Sequence, residues 1–109
     1  MALSKKYAVV FVTAENIKAA RKIARGVVKE RLAACTNIIA KIESVYWWQG
    51  KIENSPESML IMKTKVSLKK KLIKKIKKLH SYSVPEIIFL PIIEGNPDYL
   101  KWIGTETVA

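Results

Sequence analysis

From Lys6 to Thr13 the chain reads KYAVVFVT, apolar at nearly every position, which suits a central strand covered on at least one face. The period then changes. Over residues 15–32, Ile17, Ala20, Ala24, Val27 and Val28 recur at helical spacing, which predicts an amphipathic helix with Thr13 as its cap. Gly26 inside that helix costs roughly 1 kcal/mol of propensity relative to Ala. Residues 36–48, TNIIAKIESVYWW, predict a second strand with Ile38, Ala40, Ile42, Ser44, Tyr46 and Trp48 on one side. Gln49-Gly50 predicts a tight turn, because glycine accepts positive φ, and ESMLIMKTK (57–65) is the returning strand. In SLKKKLIKKIKKLHSY the positions Leu68, Leu72, Ile73, Ile76 and Leu79 again follow a helical period. EIIFLPII supplies a fourth strand. GNPDYLKWI opens a short terminal helix, with Asn96 as cap, Pro97 in the first turn and Asp98 against the positive end.

The order β-α-β-β-α-β with a terminal helix is the split βαβ, or ferredoxin-like, sandwich of the α+β class. Its antiparallel sheet places strands two and four at the edges and strands one and three between them. Pro91 agrees independently, since proline cannot donate to a ladder and belongs on an edge strand. At ~3.3 Å per residue the second strand would extend about 43 Å, against a radius of gyration near 13 Å for a compact domain of this size. It must bend, bulge or project. A long projecting hairpin between strands two and three, carrying Tyr46, Trp47 and Trp48, exposes apolar surface and unpaired edges. The expected remedy is self-association, and the alternative is an arm folded back on its own sheet.

A length of 109 residues predicts a single domain over 1–109, and a composition half apolar and 27% charged is globular. The opening MALSKKYAVVFV lacks the cleavage pattern of a secretory leader, no run approaches the ~20 apolar residues of a membrane span, and Cys35 is the only cysteine. A cytoplasmic protein with no membrane partner is expected. The net charge of +11 invites a nucleic-acid reading. However, nine of the twenty basic residues lie between Lys63 and Lys78, mostly opposite the apolar stripe of one helix. That favours a solvated face in a heat-adapted, thermostable protein over a nucleic-acid partner. Strand three also lacks the Gly-aromatic pattern of an RNA-recognition sheet, which leaves only salt-sensitive backbone contact through the lysines.

Catalytic motifs are absent. The chain has no G-x-S-x-G, no phosphate loop and no H-E-x-x-H, so no enzyme activity is expected. One histidine and one cysteine cannot build a closed zinc site, and the topology sets them at opposite ends of the sheet. Cys35 reads as a small buried hydrophobe. His80, whose natural neighbours are Val12 and Thr13, reads either as a metal ligand or as a helix-end residue favoured by the dipole.

RLAACTNI, SVYWWQGKIE, the E and KT of ESMLIMKT, HSYSVPEI and GNPDYLKWI, in this order over almost the whole chain, resemble the CutA family of divalent-cation-tolerance proteins. The resemblance implies a tight homotrimer whose long hairpins bridge neighbouring sheets. It also implies a role in the response to metal ions, with copper(II) binding among members and no required cofactor. Members that bind copper carry a cysteine where this chain has Val12 and a histidine pair where it has Leu79-His80, and Ser81 replaces the family's proline. Of that ligand set only His80 remains, and Tyr82 and Glu86 could add oxygen donors to a Cu²⁺ or other divalent-metal site shared across the trimer. Tyr46, Trp47, Trp48, Lys63, Tyr82, Glu86 and Trp102 are expected in clefts or interfaces between subunits. An aromatic pocket with one carboxylate and one lysine would suit a small anionic or zwitterionic ligand, so a trimeric metabolite sensor is the second reading.

Overall fold

The computed structural model describes residues 6–109. Its elements are β1 (Tyr7–Ala14), α1 (Ile17–Lys29), β2 (Cys35–Trp48), β3 (Lys51–Lys65), a 3₁₀ turn (Val66–Leu68), α2 (Lys69–Leu79), β4 (Ile87–Pro91) and α3 (Pro97–Thr105). The four strands form one antiparallel sheet in the order β2-β3-β1-β4, as the split βαβ arrangement requires. Pro91 ends the edge strand β4, where its missing N–H breaks no inner ladder.

Strand alternation divides the sheet into two unlike faces. Ala8, Val10, Val12 and Ala14 of β1 and Leu60 and Met62 of β3 point to one side and are buried. Against them lie Ala20, Ile23, Ala24 and Val27 of α1 and Leu72 and Ile76 of α2, forming the core. The opposite face carries Val9, Phe11, Met59, Ile61, Ile88 and Leu90, which no helix fully covers.

Helix α1 departs from its expected form at its start and on its stripe. Thr13 does not cap it, because Thr13 is still paired in the sheet opposite Met59. The cap is Asn16, whose side-chain oxygen accepts from the Ala19 N–H at 2.8 Å. Ile23 joins the buried stripe, and Val28 lies outside it, exposed. Gly26 has a reason to be glycine: a Cβ there would stand 2.6 Å from Leu79 Cδ1, so its absence lets α1 and α2 approach closely. Glu30 pairs with Lys75 beside that contact, which makes the two helices antiparallel neighbours.

The hairpin is longer than expected on its return side, since β3 begins at Lys51 rather than Glu57. Pro56 is tolerated there because β1 reaches only as far as Ser58, leaving β3 paired along the arm with β2 alone among the described residues. Gln49 and Gly50 both have positive φ (50° and 79°), the backbone of a two-residue type I′ turn. A bulge between Ile39 and Ile42 sets one extra β2 residue against β3. It divides the expected single-sided row: Ile38 stays on the helix side, whereas Ile42, Ser44, Tyr46 and Trp48 turn to the open side. The arm projects, giving a long axis of 44 Å. Helix α3 is capped by Asn96, whose side chain accepts from the Asp98 N–H at 3.0 Å, and it lies near Tyr7 at the far end of the open face.

Candidate functional site

The site forms where β1 ends, α2 stops and the bulge re-aims the arm. His80 caps the C-terminus of α2, its N–H donating to the Ile76 carbonyl while its own backbone turns extended. That places its ring beside Thr13. The His80 Nδ1 accepts from the Tyr82 N–H at 3.0 Å, and Nε2 lies 2.7 Å from the Thr13 carbonyl oxygen. A carbonyl only accepts, so Nε2 carries the proton and donates, while Nδ1 has none. Both ring nitrogens are thus engaged within the chain.

The next contact extends the network. The Tyr82 ring lies 4.8 Å from the His80 ring at a tilt of 42°. Its hydroxyl donates to Glu57 Oε2 at 2.7 Å. Burial, and then the Glu57 carboxylate that it faces, push the Tyr82 hydroxyl well above the usual phenol range. Glu57 is buried, with 8% exposure, and is held just past the bulge opposite Ile42. Further out on the arm, Tyr46 Oη and Ser55 Oγ meet at 3.1 Å.

Around this chain of contacts opens a cleft of about 590 Å³ lined by Thr13, Tyr46, Trp48, Glu57, Tyr82 and Glu86, together with Ser81, Ser83 and Val84. Two carboxylates, two phenols and an indole face the space, and among the described residues no lysine or arginine lines it. On a chain of net charge +11 this is a local reversal of sign. Carboxylates give charge-assisted hydrogen bonds to an ammonium group, and Tyr and Trp faces attract a cation electrostatically. Within one chain this lining offers acceptors and aromatic faces to a cationic group and no lysine to an anionic one.

The structure brings His80, Tyr82, Glu86, Tyr46 and Trp48 to one region, and it sets Lys63, Trp47 and Trp102 elsewhere within the chain. Lys63 pairs with Cys35 and Val9 at the other end of the sheet, where its Nζ reaches Asn37. Trp102 stacks on Tyr99 of α3, 5.5 Å between ring centroids. Trp47 points from the other face of the arm and is 72% exposed. Cys35 is half-buried rather than a core residue, with its Sγ 4.0 Å from Lys63 Nζ. Glu57 is the cleft carboxylate that the pattern of the chain concealed, because only the bulge in β2 turns Tyr46 and Trp48 to its side of the sheet.

A copper site does not fit the residues of the single chain. Both His80 nitrogens already have partners, and among the described residues no group of three or more His, Cys, Asp and Glu could hold a metal ion.

Comparison with known proteins gives a consistent result. The family model described as "CutA1 divalent ion tolerance protein" matches residues 8–106. A rice protein named "Protein CutA 1, chloroplastic" is 48% identical over 99 residues, covering 91% of this chain and 56% of its own length. The "Divalent-cation tolerance protein CutA" of Thermus thermophilus is 46% identical over 99 residues, covering 91% of this chain and 96% of that relative. The chain thus spans little more than half the length of the plant relative. Among solved structures, a divalent cation tolerance protein from Thermus thermophilus superposes with a TM-score of 0.91 at 44% identity, covering 94% of this chain and 99% of that one. The structure described as a periplasmic divalent cation tolerance protein from Archaeoglobus fulgidus gives 0.89 at 35% identity, covering 92% and 97%.

Proposed function

The chain belongs to the CutA1 divalent ion tolerance family, and on that footing we propose that it is a homotrimeric binding protein whose clefts hold a small organic cation. The assembly is supported by the open sheet face. Ile39, Ile88 and Leu90 are 45–47% exposed there, beside the half-buried Val9, Phe11 and Ile61. The arm adds Val45, Trp47 and Ile52 on its outer side. A contiguous apolar sheet with two free edges is an aggregation hazard unless copies of the chain close on one another, and a threefold ring closes both. The cleft sits between that open face and the base of the arm, so a neighbouring subunit would wall its solvent side.

The observation that carries the ligand class is the reversal of sign in the cleft: Glu57 and Glu86 among aromatic walls on a strongly basic chain. Action is by binding rather than by catalysis.

Calorimetric titration of the metal-stripped protein tests this reading. A primary amine, a quaternary amine and Cu²⁺ are titrated in parallel into the parent, Glu57→Gln, Glu86→Gln and His80→Ala. Amine binding weakened at least about tenfold by either carboxylate change supports the proposal, as loss of one charge-assisted bond costs about 1.5–3 kcal/mol. Submicromolar copper binding that disappears in His80→Ala, with no amine binding, would overturn it. Sedimentation across a dilution series tests the trimer separately.

A further inference from the structure

The outer helical layer offers a second binding surface of the opposite sign. Helix α1 exposes Lys18, Arg21, Lys22, Arg25 and Lys29, and α2 exposes every one of its lysines except the half-buried Lys75. Neither helix contains a single Asp or Glu. Lys18/Lys22, Arg21/Arg25, Arg25/Lys29, Lys70/Lys74 and Lys74/Lys78 are like charges four residues apart, each destabilising its helix by a few tenths of a kcal/mol. Heat adaptation through charge relies on ion-pair networks. Among the described residues there are only two isolated ion pairs, Arg31–Glu106 and Lys75–Glu30, and neither neutralises this face. The repulsion therefore persists in the free protein, and binding of a polyanion would relieve it.

We propose that the α1–α2 face binds the phosphate backbone of double-stranded nucleic acid without reading its sequence. The antiparallel contact of Gly26 with Leu79 sets the two helices side by side, and their core-facing stripes turn both cation rows outward. Helix axes packed in this way lie about 8–10 Å apart, near the ~12 Å width of the major groove, so each row can follow one bordering strand. Along the roughly 20 Å of α1 a duplex presents about a dozen phosphates. Neither helix carries an aromatic residue, so the face has no platform on which unpaired bases could stack. Val28 is its only exposed large apolar side chain, which is too little to enter a lipid surface. The chemistry that remains is electrostatic contact with a stiff, closely spaced row of phosphates.

Fluorescence anisotropy with a labelled duplex of mixed sequence, between about 50 and 200 mM salt, tests the proposal. With six phosphate contacts, the plot of log affinity against log salt should slope near −5, and a second, unrelated duplex should give the same curve. K70Q/K74Q/K77Q should flatten the slope by about 3 and R21Q/R25Q by about 2, while Lys101→Gln on α3 should leave it unchanged. All are surface substitutions, and the parent salt series stands without them. A parent slope near zero, a slope untouched by both helix variants, or tighter binding to single strands would overturn the proposal. So would tighter binding to phosphatidylserine vesicles than to the duplex.

Discussion

The Tyr82 hydroxyl donates to Glu57 Oε2 across 2.7 Å, tying the segment after α2 to β3 just beyond the bulge. Without that bond the buried Glu57 carboxylate would lack the one side-chain donor it has among the described residues. Tyr82→Phe should therefore lower stability by about 1–2 kcal/mol in denaturant titration at fixed subunit concentration.

The same tyrosine gives a pH dependence of defined sign. Its folded-state pKa is raised above the unfolded value of about 10, first by burial and then by Glu57. The unfolded chain thus releases this proton first, so the contribution of Tyr82 is complete below about pH 10 and declines as pH rises above it. Unfolding midpoints measured from pH 8 to 11 should fall less steeply in Tyr82→Phe than in the parent. Equal slopes would show that the hydroxyl titrates normally.

His80 joins the end of α2 to the end of β1 through both ring nitrogens. His80→Ala leaves the Thr13 carbonyl and the Tyr82 N–H without these partners, at an expected cost of about 1–3 kcal/mol. Copper affinity should be unchanged. A loss of copper binding without a loss of stability would reverse that assignment.

The fold was largely legible because each element carries its own local signal. Pro91 marked an edge, Asn96-Pro97-Asp98 opened α3, and the Leu68–Leu72–Ile76 period placed α2 before any long-range contact was known. The site was legible only in part. His80, Tyr82 and Glu86 lie within seven residues of one another, so proximity in sequence carried over into space. Glu57 and Lys63 lie on one strand, yet Glu57 enters the cleft and Lys63 ends near Cys35. That separation is set by strand length alone, whereas the bulge at Ile39/Ile42 turns Tyr46 and Trp48 toward Glu57, and a bulge leaves no composition cue in IIAKI. The cap of α1 failed for a related reason: Thr13 and Asn16 are both good caps, and only the length of the β1 pairing decides between them.

Gly26 sets two small effects against each other. Alanine would gain about 1 kcal/mol of helix propensity, but its Cβ would lie 2.6 Å from Leu79 Cδ1. That atom is the end of a half-buried, flexible side chain, so it can swing away. Gly26→Ala should be within about 1 kcal/mol of neutral, whereas Gly26→Leu should cost about 1–3 kcal/mol by forcing the helices apart. Thermal unfolding of the pair separates a tight contact from an essential one.

The hairpin turn offers the cleanest test of backbone conformation. Gln49 and Gly50 both hold positive φ, which the type I′ turn demands and which Gln tolerates poorly. No atom stands within 4 Å of a Cβ added at Gly50, so Gly50→Ala meets no clash and reports only the φ of 79°. It should cost about 1 kcal/mol, the left-handed penalty for an L-residue. Gln49→Asn runs the other way. Asn enters the left-handed region more readily and hydrogen-bonds locally, so it should stabilise the arm by a few tenths of a kcal/mol. Because the arm is also the proposed contact between subunits, both variants should shift trimer dissociation on dilution in the same direction as unfolding. If unfolding moves and dissociation does not, the arm is rigid without being an interface.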